Sequence, residues 1–139
     1  MNRILSVDYG NRRIGLALSD PLNIIATPLD TLVISSMEDG IRQLIELYQQ
    51  YPLKAIVMGY PIGNSGNKTE QTRIVDKIIE ALESAVDIPI IKWDERYTSV
   101  EAHSILKIQG IKTRNNKGIV DQLAARIMLQ EYLDSQNTL

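Results

Sequence analysis

The sequence predicts an α/β fold: a mixed five-stranded sheet, with a three-stranded antiparallel meander and two parallel strands, and helices on both faces. Three observations carry this reading. Two apolar runs near the N-terminus, Ile4-Leu5-Ser6-Val7 and Ile14-Gly15-Leu16-Ala17-Leu18, are joined by the turn-rich Tyr9-Gly10-Asn11-Arg12 and read as a hairpin. Two later apolar runs, Ala55-Ile56-Val57-Met58 and residues 88–93, each follow a helical pattern. Right-handed crossovers then set these later strands parallel to the first.

Each element has a local reason. Residues 3–8 form a buried strand ending in a carboxylate. In residues 13–19, Ile14, Leu16 and Leu18 alternate with Gly15, Ala17 and Ser19, the period of a strand. A third strand lies within residues 25–34, and Pro28 suits it to an edge. A helix starts at Ser35, with Glu38 at capping-box spacing and Met37, Ile41, Leu44, Ile45 and Tyr48 as its apolar stripe. Pro52 closes that segment. The run ending at Gly59 reads as a central parallel strand. Residues 60–68 contain Pro61, Gly63 and Gly66 and read as a flexible loop. A helix over residues 69–85 places Val75, Ile78, Ile79 and Leu82, with Val86, on one face. Thr98 and Glu101 start a short helix that ends near Gly110. A last helix over residues 117–133 has Val120, Leu123, Ala124, Ile127 and Met128 as its core face. The first strand is central, beside the strand ending at Gly59, and the strand ending at Asp94-Glu95 comes next.

Composition narrows the class. The 139 residues suit a single domain, residues 1–139, and 44% hydrophobic content supports a core. Phe is absent, so that core is mostly aliphatic. The chain has no Cys, which excludes a disulfide framework and thiolate metal sites. Without a bilayer-length apolar stretch or a signal-peptide h-region, it is expected to be soluble and cytoplasmic, with no membrane partner. A net charge of −2 argues against a purely electrostatic nucleic-acid binder. The charge is unevenly spread: residues 107–117 carry Lys107, Lys112, Arg114 and Lys117 and no acid.

The predicted topology gathers carboxylates. Asp8, Gly59 and Asp94-Glu95 end three parallel strands at one edge, where open α/β sheets build their sites. Gly59 leaves space between the acidic strand ends. Asp121, in the first turn of the last helix, is favoured there as a carboxylate by the helix dipole. Ala124 and Ala125 would let that helix approach the sheet and carry Asp121 to the edge. Singly, each acid has a commoner role as a turn, cap or surface residue. Together they form an oxygen-only set, which selects Mg2+ or Mn2+ over zinc or copper. Two such ions can clamp a phosphodiester.

The motifs Asp8-Tyr9-Gly10 with Arg13-Ile14-Gly15-Leu16-Ala17, Gly59-Tyr60-Pro61 with Gly66, Asp94-Glu95-Arg96 with Thr98, and Asp121 with Ala124-Ala125 occur in order along the chain. Over nearly its whole length the chain resembles the YqgF (RuvX) family. The resemblance implies an RNase H-like fold like that of the Holliday-junction resolvase RuvC. It also implies a metal-dependent nuclease acting on structured nucleic acid. For bacterial members the implied role is 5′-end maturation of precursor 16S ribosomal RNA; an older assignment is a Holliday-junction resolvase. By position, Asp8 matches the first catalytic acid, Asp94-Glu95 the second and Asp121 the third. Asp94 and Glu95 face opposite sides by strand alternation, and the longer Glu95 is favoured as the ligand. The strand ending at Met58-Gly59 lacks the acid found in RNase H-type nucleases at large, leaving fewer carboxylates for two ions.

Candidate phosphate contacts are Arg12, Arg13, Lys68, Arg73, Arg96, Lys112, Arg114 and Lys117. The loop Gly63-Asn64-Ser65-Gly66-Asn67-Lys68 lacks the Walker pattern and is not an ATP-binding P-loop. Trp93 within a strand is a core residue before it is a base-stacking one. Three functions follow: a nuclease for structured RNA, a nuclease for DNA junctions, and a non-catalytic nucleic-acid-binding module of ribosome assembly. Either a monomer or a homodimer is compatible with the sequence. A sugar-kinase-like ATPase needs two such domains and does not fit the length.

Overall fold

The computed structural model describes residues 2–94 and 117–137. Glu95, Arg96, Lys112, Arg114 and the helix expected from Thr98 lie outside the described residues. The elements are β1 (Arg3–Tyr9), β2 (Arg13–Ser19), β3 (Ala26–Val33), α1 (Met37–Gln50), β4 (Leu53–Tyr60), α2 (Glu70–Ala85), β5 (Ile90–Asp94) and α3 (Lys117–Asn137).

The strands form one sheet in the order β3-β2-β1-β4-β5. β1 to β3 are the antiparallel meander, and β4 and β5 run parallel to β1 and to each other. This is the expected sheet, with β1 central and Pro28 on the edge strand β3. β3 continues through Pro28, which is level with Ala17 of β2.

Alternation along the strands makes two faces with different packing. Leu5, Val7 and Tyr9, with Ile14, Leu16 and Leu18, join Ile56 and Met58 under α1 and α2. Leu44 of α1 and Val75, Ile78, Ile79 and Leu82 of α2 are buried in that layer. Each buried Leu or Ile contributes about 1.5–3 kcal/mol, so this aliphatic layer is a large stabilising term. The other face carries smaller side chains. Ile4, Ala17, Ala55 and Val57 meet Ala125, Met128, Leu129 and Leu133 of α3.

Helix ends follow capping chemistry, with one shift from expectation. Ser36, not Ser35, caps α1: its Oγ accepts from Asp39 N at 3.0 Å. The sequence holds two overlapping pairs at capping spacing. The Asp39 pair prevails because the Asp39 carboxylate also accepts from Ser35 N and from the Arg42 and Gln43 side chains. These contacts also lower the Asp39 pKa, the Ser35 amide first among them. Thr69 caps α2 in a reciprocal box with Thr72. The loop before it is not slack, because Ile62 and Lys68 form a β-bridge, Gly63 N donates to Asn67 O at 2.9 Å, and Gly66 supplies the φ of 83° that the turn needs.

α3 docks on a stripe rotated from the expected one. Ala125, Met128, Leu129 and Leu133 face the sheet, whereas Ala124 and Ile127 form a separate small cluster with Leu123. The helix is apolar around much of its circumference, so periodicity alone does not select a stripe. Steric access decides it, because the face of β2 beneath α3 is Gly15, Ala17 and Ser19. A Cβ built on Gly15 would lie 2.7 Å from the Asp121 carbonyl carbon and closer still to its oxygen. Ser6 Oγ, fully buried, donates to Ala125 O at 2.8 Å and fixes the helix along the groove. Among the described residues, no helix is long and apolar enough to cross a membrane.

Gly15→Ala must therefore push α3 away from the sheet. The expected loss is about 2–3 kcal/mol in urea unfolding, the upper range for overpacking. A Gly15→Ala protein as stable as wild type would show that this contact does not set the helix position.

Candidate active site

β1, β4 and β5 are parallel, so their C-terminal ends share one edge. Val7 is level with Met58, and Gly59 with Trp93, which sets Asp8, Gly59 and Trp93 in one row across the sheet. On its other side Asp8 is level with Gly15 of β2. Asp8 is half-buried and lies on the α3 face, the face that Ser6 also occupies.

Asp121 arrives from above. Its own Cβ is 3.0 Å from where a Gly15 Cβ would be. Directly opposed residues of antiparallel strands have Cβ atoms about 4.5–5.5 Å apart. The Asp8 and Asp121 Cβ atoms are therefore within roughly 8–9 Å of each other. Carboxylates at that separation can share a cation. The missing side chain of Gly15 makes the approach possible.

α3 begins at Lys117, so Asp121 falls past its first turn rather than within it. The counter-charge comes instead from Arg13, whose Nε donates to Asp121 Oδ2 at 3.1 Å. Arg13 thus sits on an acid of the proposed site.

Asp94 follows Trp93 and alternates to the other face, level with Tyr60. Asp8 and Asp121 are on the α3 side. Among the described residues no group of three or more His, Cys, Asp or Glu side chains is arranged to hold a metal ion. The described donors are the Asp8–Asp121 pair, a hard-oxygen set over a glycine cradle, and they fit Mg2+ or Mn2+. Trp93 is on the α3 side, where it packs edge-on against Tyr132 at 5.9 Å; Glu95 lies outside the described residues.

The cationic candidates differ in setting. Arg12 and Arg73 are exposed. Lys68 is also exposed, but its ammonium binds Asp76 Oδ2 at 2.9 Å. Tyr60 Oη donates to Asp76 Oδ1 at 2.8 Å, and Lys92 lies 3.7 Å from that oxygen and over the Tyr60 ring. Asp76 therefore fastens the glycine-rich loop to α2 and β4. No local pattern marks it, because residues 60, 68 and 92 reach it only through the tertiary fold. Gln71 Nε2 donates to Tyr9 O at 3.3 Å and ties the start of α2 to the end of β1. Ser6 and the role of Gly15 were also unmarked, although the small alternating face of β2 was their signal.

The Lys68 contact, followed by the Tyr60 hydroxyl, holds the Asp76 carboxyl below the ordinary Asp value, against an opposing effect of burial. A depressed carboxyl stabilises the fold above the unfolded-state pKa and loses that effect as pH falls through its folded value. Asp76→Asn is expected to cost about 1–2 kcal/mol at neutral pH, with the difference from wild type shrinking below about pH 4. Urea unfolding across pH checks this; a difference that grows on acidification contradicts it.

Comparison with known proteins gives the family and the fold. A family model described as "RuvX: Holliday junction resolvase" matches residues 2–135. Relatives from Dictyoglomus turgidum and Syntrophus aciditrophicus, each named "Putative pre-16S rRNA nuclease", are 42% and 41% identical over 133 residues. Each alignment covers 96% of this chain, and 94% and 89% of the respective relative. Among solved structures, T. thermophilus RuvC in complex with a Holliday junction substrate matches with a TM-score of 0.62 at 15% identity, over 98% of this chain and 96% of that one. Fowlpox virus resolvase with Holliday junction DNA gives 0.61 at 14% identity, over 98% and 99%. These two structures establish the shared RNase H-like fold, and the family match with the 42% relative establishes kinship: the chain belongs to the RuvX (YqgF) family.

Proposed function

We propose that this chain is a divalent-metal-dependent nuclease that hydrolyses phosphodiester bonds at the 5′ end of precursor 16S ribosomal RNA. The observation that carries the reading is the convergence of Asp8 and Asp121 across Gly15 at the C-terminal sheet edge. The relatives named "Putative pre-16S rRNA nuclease", aligned over 96% of this chain, support the substrate.

In this reading Asp8, Asp121 and Glu95 hold Mg2+ or Mn2+, and Asp94 lies outside the ligand set on the Tyr60 side of β5. When bound, the cation supplies Lewis acidity to the phosphate and lowers the pKa of a nucleophilic water. The protein supplies position. β1 fixes Asp8 between β2 and β4, and Gly59 leaves room beside it. The acid pair repels a bare phosphate, so phosphate approach would depend on a cation held by these residues. Arg12 and Arg73 draw the nucleic-acid backbone to this edge, with Lys68, Arg96, Lys112, Arg114 and Lys117 as further contacts. One domain, residues 1–139, carries the activity in the cytoplasm.

The description of the family model favours a second reading, cleavage of four-way DNA junctions. Such a substrate is two-fold symmetric and calls for a dimer. A cleavage assay with a pre-16S fragment and a DNA junction separates the two. Cutting should require Mg2+ or Mn2+, favour the RNA, and fall about 100-fold or more in Asp8→Asn and Asp121→Asn proteins that still fold. Undiminished cutting by Asp8→Asn sinks the metal site. Preference for the junction by a dimer selects the second reading. Metal-independent binding that survives loss of the acids, without cutting, indicates a non-catalytic module.

A further inference from the structure

Arg13 opens β2 two residues before Gly15, on the strand face that carries α3. Its Nε–H donates to Asp121 Oδ2 at 3.1 Å, and the two side chains retain 35% and 27% of their exposure. Partial burial limits how far water and salt screen the pair. Asp8 stands on the neighbouring strand, level with Gly15. A cation shared by Asp8 and Asp121 therefore needs the carboxylate that Arg13 already neutralises.

From this geometry we infer that Arg13 sets the divalent-cation affinity of the Asp8–Asp121 pair by competing with the cation for Asp121. The inference rests on the metal-binding reading proposed above. Two effects of Arg13 oppose each other. It orders the Asp121 side chain, which favours a ligand geometry. It also places a full positive charge within contact distance of a ligand oxygen, which disfavours a doubly charged ion. Asp has only two side-chain torsions to order, so the Coulombic effect is the larger. The guanidinium lets two carboxylates stand close together in the folded chain, and it limits how tightly they hold an ion.

The test is Mn2+ binding, read from the free-ion electron paramagnetic resonance signal, with no nucleic acid present. Wild type is compared with Arg13→Gln, Arg13→Met, Arg13→Lys and Asp8→Asn, with thermal melts to establish that each is folded. The neutral variants should bind Mn2+ about three- to tenfold more tightly than wild type. Arg13→Lys keeps the charge and should stay within about twofold of wild type. Equal or weaker binding by the folded neutral variants overturns the role of Arg13. Identical binding by wild type and Asp8→Asn overturns the acid-pair reading itself.

Discussion

A side chain on Gly15 would place its Cβ 2.7 Å from the carbonyl carbon of Asp121, inside any permitted contact. The absence of that side chain lets α3 lie on β2 backbone to backbone. Ser6 then reaches the Ala125 carbonyl at 2.8 Å, and Ala125, Met128 and Leu129 seal against Ile4, Ala17 and Val57. The height of the helix above the sheet fixes where Asp121 stands, and Asp8 is one strand away. Core packing and site geometry thus depend on the same close approach.

Charge is distributed unequally over the two faces of that sheet edge. On the α3 side, Asp8 is level with Gly15 and Asp121 lies over that glycine, with Arg13 on Asp121. On the α2 side, Asp76 gathers Tyr60, Lys68 and Lys92, so its single negative charge is met by two ammonium groups. The first arrangement is the one proposed to take a divalent cation. The second is a fastening for the turn between β4 and α2.

Much of the fold was readable from short-range pattern. The Tyr9-Gly10-Asn11-Arg12 turn marked the hairpin, Pro28 marked the edge, and the helical stretches between strands required parallel crossovers. The misses share a cause. Ser35 and Ser36 offer equivalent caps until the Asp39 side chain finds its donors. α3 offers several apolar stripes until the sheet presents Gly15, Ala17 and Ser19 beneath it. Asp8 was legible as a strand-end acid and Ala124-Ala125 marked the approach of Asp121, whereas the Gly15 cradle that permits that approach was not marked. The Arg13–Asp121 pair spans 108 positions, far beyond any local pattern.

Gly15 brings Asp121 towards Asp8, and the proposed role of the two acids is to hold a divalent cation. The most direct measurement is anomalous diffraction at the manganese edge from crystals equilibrated with Mn2+. A peak is expected between the Asp8 and Asp121 carboxylates, above Gly15 and on the α3 side of the sheet. A peak confined to the Asp76 cluster, or no peak near Asp8 at saturating Mn2+, would contradict it.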